Sequence, residues 1–379
     1  MQSVLVNGRI LTPEGIVDGK ALAIRDGRID GVIDSADTPT DLPRHDLDGG
    51  LLVPGFIDTQ VNGGGGVLFN DSTTVEAIAA IGAAHRPYGT TGFLPTLISD
   101  DLAVVDAAMR ATEQAIEAGV PGVLGVHIEG PFLNVKRKGI HDSSKFRILD
   151  DEAVALLSSL KRGKTLVTLA PETTTPEMVR RLTAAGVTVA AGHSNAAYGA
   201  VRKALDAGLT GFTHLFNAMS PLTSREPGVV GAALESITAW CGIIVDGRHV
   251  DPVVLRIALR TRPLNRFMLV TDAMPTVGLA DKSFDLQGRH IRVVDGVCVD
   301  DNGTLAGSDL DMIGAVRNAM SMLGLSVEDA VSIASATPAA FLGLAGQRGA
   351  IKTGQAADLV LLDADLQVRR TWIDGVSDT

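Results

Sequence analysis

The sequence predicts an α/β protein: a (β/α)8 barrel of the TIM type, with a small β-sandwich formed by both chain termini. Three observations predict it. Eight short apolar runs alternate with helix-forming stretches between residues 51 and 272, the rhythm of βα units. Four of those runs, VPGVLGVHIEG, VTVAAGHS, LTGFTHLF and RFMLVTDAMP, give way to a loop at Glu129, His193, His214 and Asp272. The two ends of the chain carry no helical pattern and read as strands and turns.

From the N-terminus, SVLVNGRILT, KALAIRDGRIDGVI and HDLDGGLLV read as strands, with Asn7-Gly8 and Asp26-Gly27 as hairpin signals. The last stretch, GAIKTGQAADLVLLDADLQVRRTWIDGV, has the same character. Residues 1–50 and 347–379 are therefore assigned to the sandwich, and 51–346 to the barrel. Barrel strands are expected over 51–58, 92–97, 122–129, 165–170, 187–192, 210–214, 241–245 and 267–272. Helices are expected over 73–85, 101–118, 151–160, 176–185, 196–207 and 252–261. Pro176 and Pro252 follow Thr175 and Asp251, and a proline at a first helical position gives up an N–H that has no partner anyway. After Asp272 a turn-rich segment, about 276–307, delays the last helices and contains a hairpin pattern, RHIRVVDGVCVDDNG.

Composition narrows the function classes. The 379 residues are 45% hydrophobic and 20% charged, which is the balance of a folded chain. Aromatics are only 4%, so small aliphatic side chains must fill the core. The net charge is −11 and no basic stripe stands out, which argues against a nucleic-acid partner, since neutralising phosphates needs clustered cations. The N-terminus has no basic leader and no run reaches the roughly 18 apolar residues of a membrane span. A cytoplasmic protein with no membrane partner is expected. Cys241 and Cys298 lie in apolar stretches without a CxxC pattern, and are read as buried thiols.

The chemistry is read from the strand ends, where barrels assemble their active sites. Two imidazoles and a carboxylate, from His193, His214 and Glu129, suit one divalent metal. Zn2+ fits best, with Fe2+ or Mn2+ as alternatives. Three protein ligands leave a position for water, the pattern of a catalytic site. Asp272 beside such a water reads as a general base and then an acid; the alternative is an Asp that caps the next turn. His127 precedes Glu129 by two residues and shares its strand face, as barrel lining or as support for the site. His141, in RKGIHD, is either a carbonyl-polarising group or an ordinary loop histidine. Gly63–Gly66 lacks GK[ST] and reads as a tight loop over the barrel mouth. Arg225, in SREPG, and Arg248 and His249, in DGRHV, are anion candidates. His45, His85 and His290 are read as structural or solvated.

Taken together, PGFIDTQVNGGGGVLFND, HIEGPFLNVKRKGIHD, AGHSNA, THLFNAMSPL, REPG, DGRHV, LVTDAMP and GTLAGSDLDM resemble the N-acetylglucosamine-6-phosphate deacetylases of the amidohydrolase superfamily. The resemblance spans nearly the whole chain. It implies Glu129, His193 and His214 as metal ligands, Asp272 as the proton shuttle, and His141 on the acetyl carbonyl. It implies Asn217 and Ala218 at the sugar phosphate, Leu305, Ala306 and Gly307 as a backbone rim, and Arg225 and His249 at the phosphate. It further implies a homodimer in which Arg225 and His249 reach the neighbouring subunit's site. Many members of the superfamily hold a second metal with His-x-His after the first strand. Here Gln60 and Asn62 stand at those places, so one metal per subunit is expected. The implied reaction is hydrolysis of N-acetyl-D-glucosamine 6-phosphate to D-glucosamine 6-phosphate and acetate. The alternatives are deacetylation of N-acetylgalactosamine 6-phosphate and a non-catalytic barrel with an assembly role. The last would predict lost ligands, and none is missing.

Overall fold

The computed structural model describes residues 2–378. Eight parallel strands form the barrel: β1 (Phe56–Val61), β2 (Thr90–Ile98), β3 (Gly125–Glu129), β4 (Lys164–Leu169), β5 (Thr188–Ala191), β6 (Gly211–Phe212), β7 (Trp240–Ile243) and β8 (Phe267–Leu269). Each pairs with the next in sequence. The ring closes where Val61 bridges Ala273 in parallel. At that seam the Asp272 N–H donates to the Gln60 carbonyl (3.0 Å), and the Asn62 N–H to the Ala273 carbonyl (2.9 Å). The join between first and last strands therefore runs through residues at the barrel mouth.

The expected helices are present as α1 (Val75–His85), α2 (Leu102–Glu117), α3 (Asp151–Leu157), α4 (Pro176–Ala184), α5 (Tyr198–Asp206) and α7 (Pro252–Leu259), with α6 (Gly228–Glu235) preceding the last. Thr74, Asp150, Thr175 and Asp251 cap their helices by accepting backbone N–H bonds from Ala77, Ala153, Met178 and Val253. Each such cap stabilises by about 1 kcal/mol. No helical period marks α6 among the expected elements. Its residues Gly228 through Ala233 are all buried, so no polar face alternates with the apolar one and the helical period vanishes. Helices α8 (Met312–Leu323), α9 (Val327–Ala334) and α10 (Ala336–Phe341) complete the outer layer.

The termini form two sheets around a shared core. Gln2–Val6, Lys20–Arg25, Arg28–Asp34 and Arg44–Asp46 make one sheet. Arg9–Thr12, Gly15–Val17, Leu51–Pro54, Leu359–Leu362, Val368–Ile373 and Val376–Ser377 make the other. Leu5, Leu22, Leu52, Leu359 and Trp372 are buried between them; each such side chain stabilises by roughly 1.5–3 kcal/mol.

Two local expectations change. The single strand expected over 51–58 is two strands. Leu51–Pro54 pairs with Leu359–Leu362 in the terminal sheet, and the barrel begins at Phe56. The apolar run is continuous across them, so only Pro54-Gly55 marked the break. Asp26-Gly27 does turn a hairpin, with Arg25 opposite Arg28. Asn7-Gly8 does not: it passes the chain from one sheet to the other. A Cβ on Gly8 would lie 2.7 Å from Leu47 Cβ, so close packing of the two layers, not a hairpin, requires the glycine.

The turn-rich segment after β8 folds as a four-stranded antiparallel sheet, Ser283–Leu286, Arg289–Val294, Val297–Val299 and Leu305–Ser308. The expected hairpin turns at Asp295-Gly296, both at positive φ. Leu286, Ile291, Cys298 and Ala306 pack there against Ile140 and Met274, which presses this sheet onto the loop carrying His141. Both cysteines are free and buried. No helix among the described residues is long and apolar enough to cross a membrane.

Candidate active site

Glu129 is the last residue of β3 and is 2% exposed. His193 and His214 follow β5 and β6, and Asp272 follows β8. All three leave their strands in left-handed backbone, at φ 47°, 30° and 54°. That conformation costs a non-glycine residue about 1 kcal/mol or more, and such strain clusters at functional sites. It also shortens the strands relative to expectation: β6 ends at Phe212 and β8 at Leu269.

Three ligand-type atoms meet in a triangle. Glu129 Oε1 lies 3.1 Å from His193 Nε2 and 3.0 Å from His214 Nε2, and the two imidazole nitrogens are 3.1 Å apart. The triad is compact enough to hold a metal ion. His193 Nδ1 lies 2.8 Å from the Arg137 carbonyl, which can only accept. The His193 proton therefore sits on Nδ1, and a bare Nε2 lone pair faces the other two atoms. A proton on His214 Nε2 would satisfy one neighbour and not both. A divalent cation satisfies all three, and tetrahedral bonds of about 2.0–2.1 Å place ligand atoms roughly 3.3 Å apart. Burial alone would raise the Glu129 carboxyl, but the two imidazoles hold it well below the usual carboxylate range.

Asp272 sits beside this triangle. Its Oδ1 accepts from Asn62 Nδ2 (2.7 Å) and Gln60 Nε2 (3.1 Å), which leaves Oδ2 as the oxygen to exchange a proton. Gln60 Nε2 is also 3.1 Å from Glu129 Oε2. Burial, and then the Glu129 charge, raises the Asp272 carboxyl above its ordinary value. His141 packs against His193, with ring centroids 4.3 Å apart. Its Nδ1 accepts the Ser99 backbone N–H at 3.3 Å and lies 2.8 Å from Ser99 Oγ. An N–H can only donate, so the His141 proton is on Nε2, the nitrogen left for a carbonyl oxygen. Burial and the neighbouring His193 push His141 well below the ordinary imidazole value, which keeps it a neutral donor.

One cavity of about 240 Å³ joins these groups. Glu129, His141, His193, His214 and Asp272 line it, as do Asn217, Ala218 and His249. Leu305 and Gly307 form part of its rim, while the Ala306 side chain is fully buried on the opposite face of that strand. Arg225 lies elsewhere: it is exposed and outside the cavity. The two expected phosphate contacts are thus placed apart within one chain: His249 lines the cavity and Arg225 does not. His127 faces the barrel interior between Thr96 Oγ1 (3.2 Å) and Thr168 Oγ1 (2.7 Å). Burial lowers it to about 4, so it is a neutral, hydrogen-bonded barrel residue.

The glycine loop is no anion cradle. The N–H groups of Gly63, Gly65 and Gly66 donate to the carbonyls of Ala273, Val277 and Pro275. The loop is zipped onto the segment that follows Asp272, and His85 Nε2 holds the Gly63 carbonyl from beneath at 2.9 Å. Ser99 and Asp246 were not singled out from the sequence. Ser99 follows a barrel strand, as the other site residues do, and that position was its only signal.

The amidohydrolase family model matches residues 51–377. The chain belongs to the amidohydrolase family. Among curated relatives, this amidohydrolase is 45% identical to an N-acetylgalactosamine-6-phosphate deacetylase of Shewanella sp. (strain ANA-3), over 97% of this chain and 93% of that one. It is 34% identical to the N-acetylglucosamine-6-phosphate deacetylase of Haemophilus influenzae, over 99% of both. Among solved structures, the N-acetylglucosamine-6-phosphate deacetylase from Pasteurella multocida superposes with a TM-score of 0.96 at 34% identity, over 100% of both chains. The fold class expected from the sequence, barrel plus terminal strands, is that of this amidohydrolase's relatives.

Proposed function

We propose that this amidohydrolase removes the acetyl group of N-acetyl-D-glucosamine 6-phosphate by hydrolysis, releasing D-glucosamine 6-phosphate and acetate. The observation that carries the reading is the juxtaposition, in one cavity, of the Glu129–His193–His214 triangle, an Asp272 whose carboxyl burial raises, and a neutral His141.

Glu129, His193 and His214 would hold one divalent metal, with Zn2+ the best match to two nitrogens and one oxygen. Such an ion supplies Lewis acidity and makes water a nucleophile near neutral pH. Asp272 takes the proton of the attacking water on Oδ2, and its raised pKa then suits it to return that proton to the departing amine. His141 Nε2–H donates to the acetyl oxygen as it gains charge, a contribution of a few kcal/mol to the barrel's catalysis. Asn217 and Ala218, with the rim at Leu305–Gly307, position the sugar, so that remote binding energy orients the amide.

His249 binds the 6-phosphate from its own chain, and Arg225 serves the same anion across a homodimer. An exposed apolar groove supports that assembly: Leu222, Val254 and Ile257 are exposed there, and Leu222 stands three residues from Arg225.

The galactosamine epimer is a second reading. Two relatives, from Shewanella sp. (strain ANA-3) at 45% identity and Escherichia coli O157:H7 at 37%, carry that name, and both sugars present the same acetamide and phosphate. Acetate release by the purified protein from each N-acetylhexosamine 6-phosphate, with metal content measured in parallel, tests both. No acetate from either sugar phosphate would sink the deacetylase reading; a kcat/KM higher for the galactosamine phosphate would establish the second.

A further inference from the structure

His249 is fixed by a residue outside the cavity. Asp246 Oδ2 lies 2.6 Å from His249 Nδ1. The other oxygen, Oδ1, accepts the backbone N–H groups of Arg248 and His249, both at 2.8 Å. The two side chains are only 6% and 4% exposed. Burial would raise the Asp246 carboxyl, but these contacts hold it below its ordinary value, so a buried anion stands behind the imidazole. A carboxylate oxygen accepts and cannot donate. The His249 proton is therefore kept on Nδ1, and Nε2 is the nitrogen left to face the cavity. With Nδ1–H bonded to Asp246, donation to an anion falls to Nε2–H, which the doubly protonated ring carries.

We propose that Asp246 is a positioning residue for substrate recognition: one carboxylate closes the Asp246–His249 turn and presents His249 Nε2 to the 6-phosphate. Asp246 does not line the cavity, so it acts through His249 alone. The inference rests on the reading of His249 as a phosphate contact.

The carboxylate spends all three of its observed bonds within four residues, which makes the effect separable. Asp246→Asn keeps the volume but offers one acceptor where two are needed. Either the turn loses its N–H acceptor or an amide NH2 opposes Nδ1, which then cannot hold a proton, so the ring cannot carry an N–H on both nitrogens. A charge-assisted bond of this kind is worth about tenfold or more in affinity. Asp246→Glu keeps both acceptors and the charge.

The test measures kcat and KM for N-acetylglucosamine 6-phosphate and for unphosphorylated N-acetylglucosamine in Asp246→Asn, Asp246→Glu, His249→Ala and the Asp246→Asn/His249→Ala double variant. Thermal unfolding of each confirms that it is folded. Asp246→Asn is expected to raise KM for the phosphorylated sugar about tenfold, with kcat within about threefold. The preference for the phosphorylated sugar should fall correspondingly, and Asp246→Glu should recover at least part of it. The double variant should be no worse than His249→Ala, because the two residues form one unit. Additive losses, or a fall in kcat equal for both sugars, would overturn the positioning role. A His249→Ala variant that keeps its full preference for the phosphorylated sugar would instead overturn the phosphate reading of His249. In that case non-additivity of the pair still supports positioning by Asp246.

Discussion

Gln60 Nε2 stands 3.1 Å from Asp272 Oδ1 and the same distance from Glu129 Oε2. One amide thus bridges two carboxylates across the mouth of the barrel. An imidazole here could ligate a metal; an amide donates to both acids and holds them apart. Asn62 Nδ2 is also turned to Asp272, and amides are poor ligands for Zn2+ beside imidazole and carboxylate.

One divalent ion per chain is therefore expected. Elemental analysis of protein dialysed against Zn2+ should find about one equivalent, and His214→Ala should lose it. Removal of the ion by a chelator should lower the melting temperature, since a ligand held only by the folded state stabilises it. Two tightly held equivalents would contradict the role given to Gln60.

Asp272→Asn is expected to lower kcat by about 10²- to 10⁴-fold, the usual worth of a general acid–base. Metal content should stay unchanged, because the triangle does not include Asp272. Near-normal turnover, measured by acetate release, would remove Asp272 from the proton path.

The Ser99–His141 contact separates donor from support. His141→Ala should cost roughly 10²–10³ in kcat, as loss of an oxyanion donor does. Ser99→Ala removes the 2.8 Å hydroxyl contact but keeps the backbone N–H. It should cost only about tenfold, and Ser99→Thr should restore activity. If Ser99→Ala matched His141→Ala, Ser99 would be contacting substrate itself.

Arg225→Ala should raise KM for the phosphorylated sugar about tenfold and leave turnover of the unphosphorylated sugar little changed. Equal losses on both sugars would show that Arg225 serves the fold or the assembly and not the phosphate.

Stability should depend on pH through Asp58. This carboxyl is fully buried, and burial pushes it up to about 7. The unfolded value is about 3.9. Between the two, the folded state holds a proton that the unfolded state has released. The stabilisation is complete below the unfolded value and is lost as pH rises through about 7. Three units correspond to roughly 4 kcal/mol as an upper bound. Asp58→Asn cannot titrate, so its stability relative to the parent should improve between pH 4.5 and 8. Urea unfolding at the two pH values gives the comparison; an unchanged difference would mean that Asp58 does not titrate in this range.

Much of this site was legible because barrel chemistry gathers where apolar runs stop. Glu129, His193, His214 and Asp272 each stood at such an end, and the structure brings them into one cavity. What escaped notice acts at one remove. Ser99 and Asp246 touch other side chains, and nothing in a pattern of apolar and polar residues marks that work. Helix α6 escaped because burial on every side erases its period. The position of His249 escaped for a different reason: a sequence motif names a residue but does not say which cavity it lines.

The pairing of Leu51–Pro54 with Leu359–Leu362 bears on how the chain is born. Synthesis proceeds from the N-terminus, so the first strands leave the ribosome some 300 residues ahead of their partners. For that interval Leu51–Pro54, paired on one side with Arg9–Thr12, leaves its other side an open apolar edge, the kind that invites pairing with another chain. The barrel strands are complete by Leu269 and the seam at Val61 and Ala273 is tied to Ser308, all of them ahead of Leu359. The sandwich is thus the final piece to assemble. A nonsense codon before residue 359 would leave a near-complete barrel carrying a sticky strand.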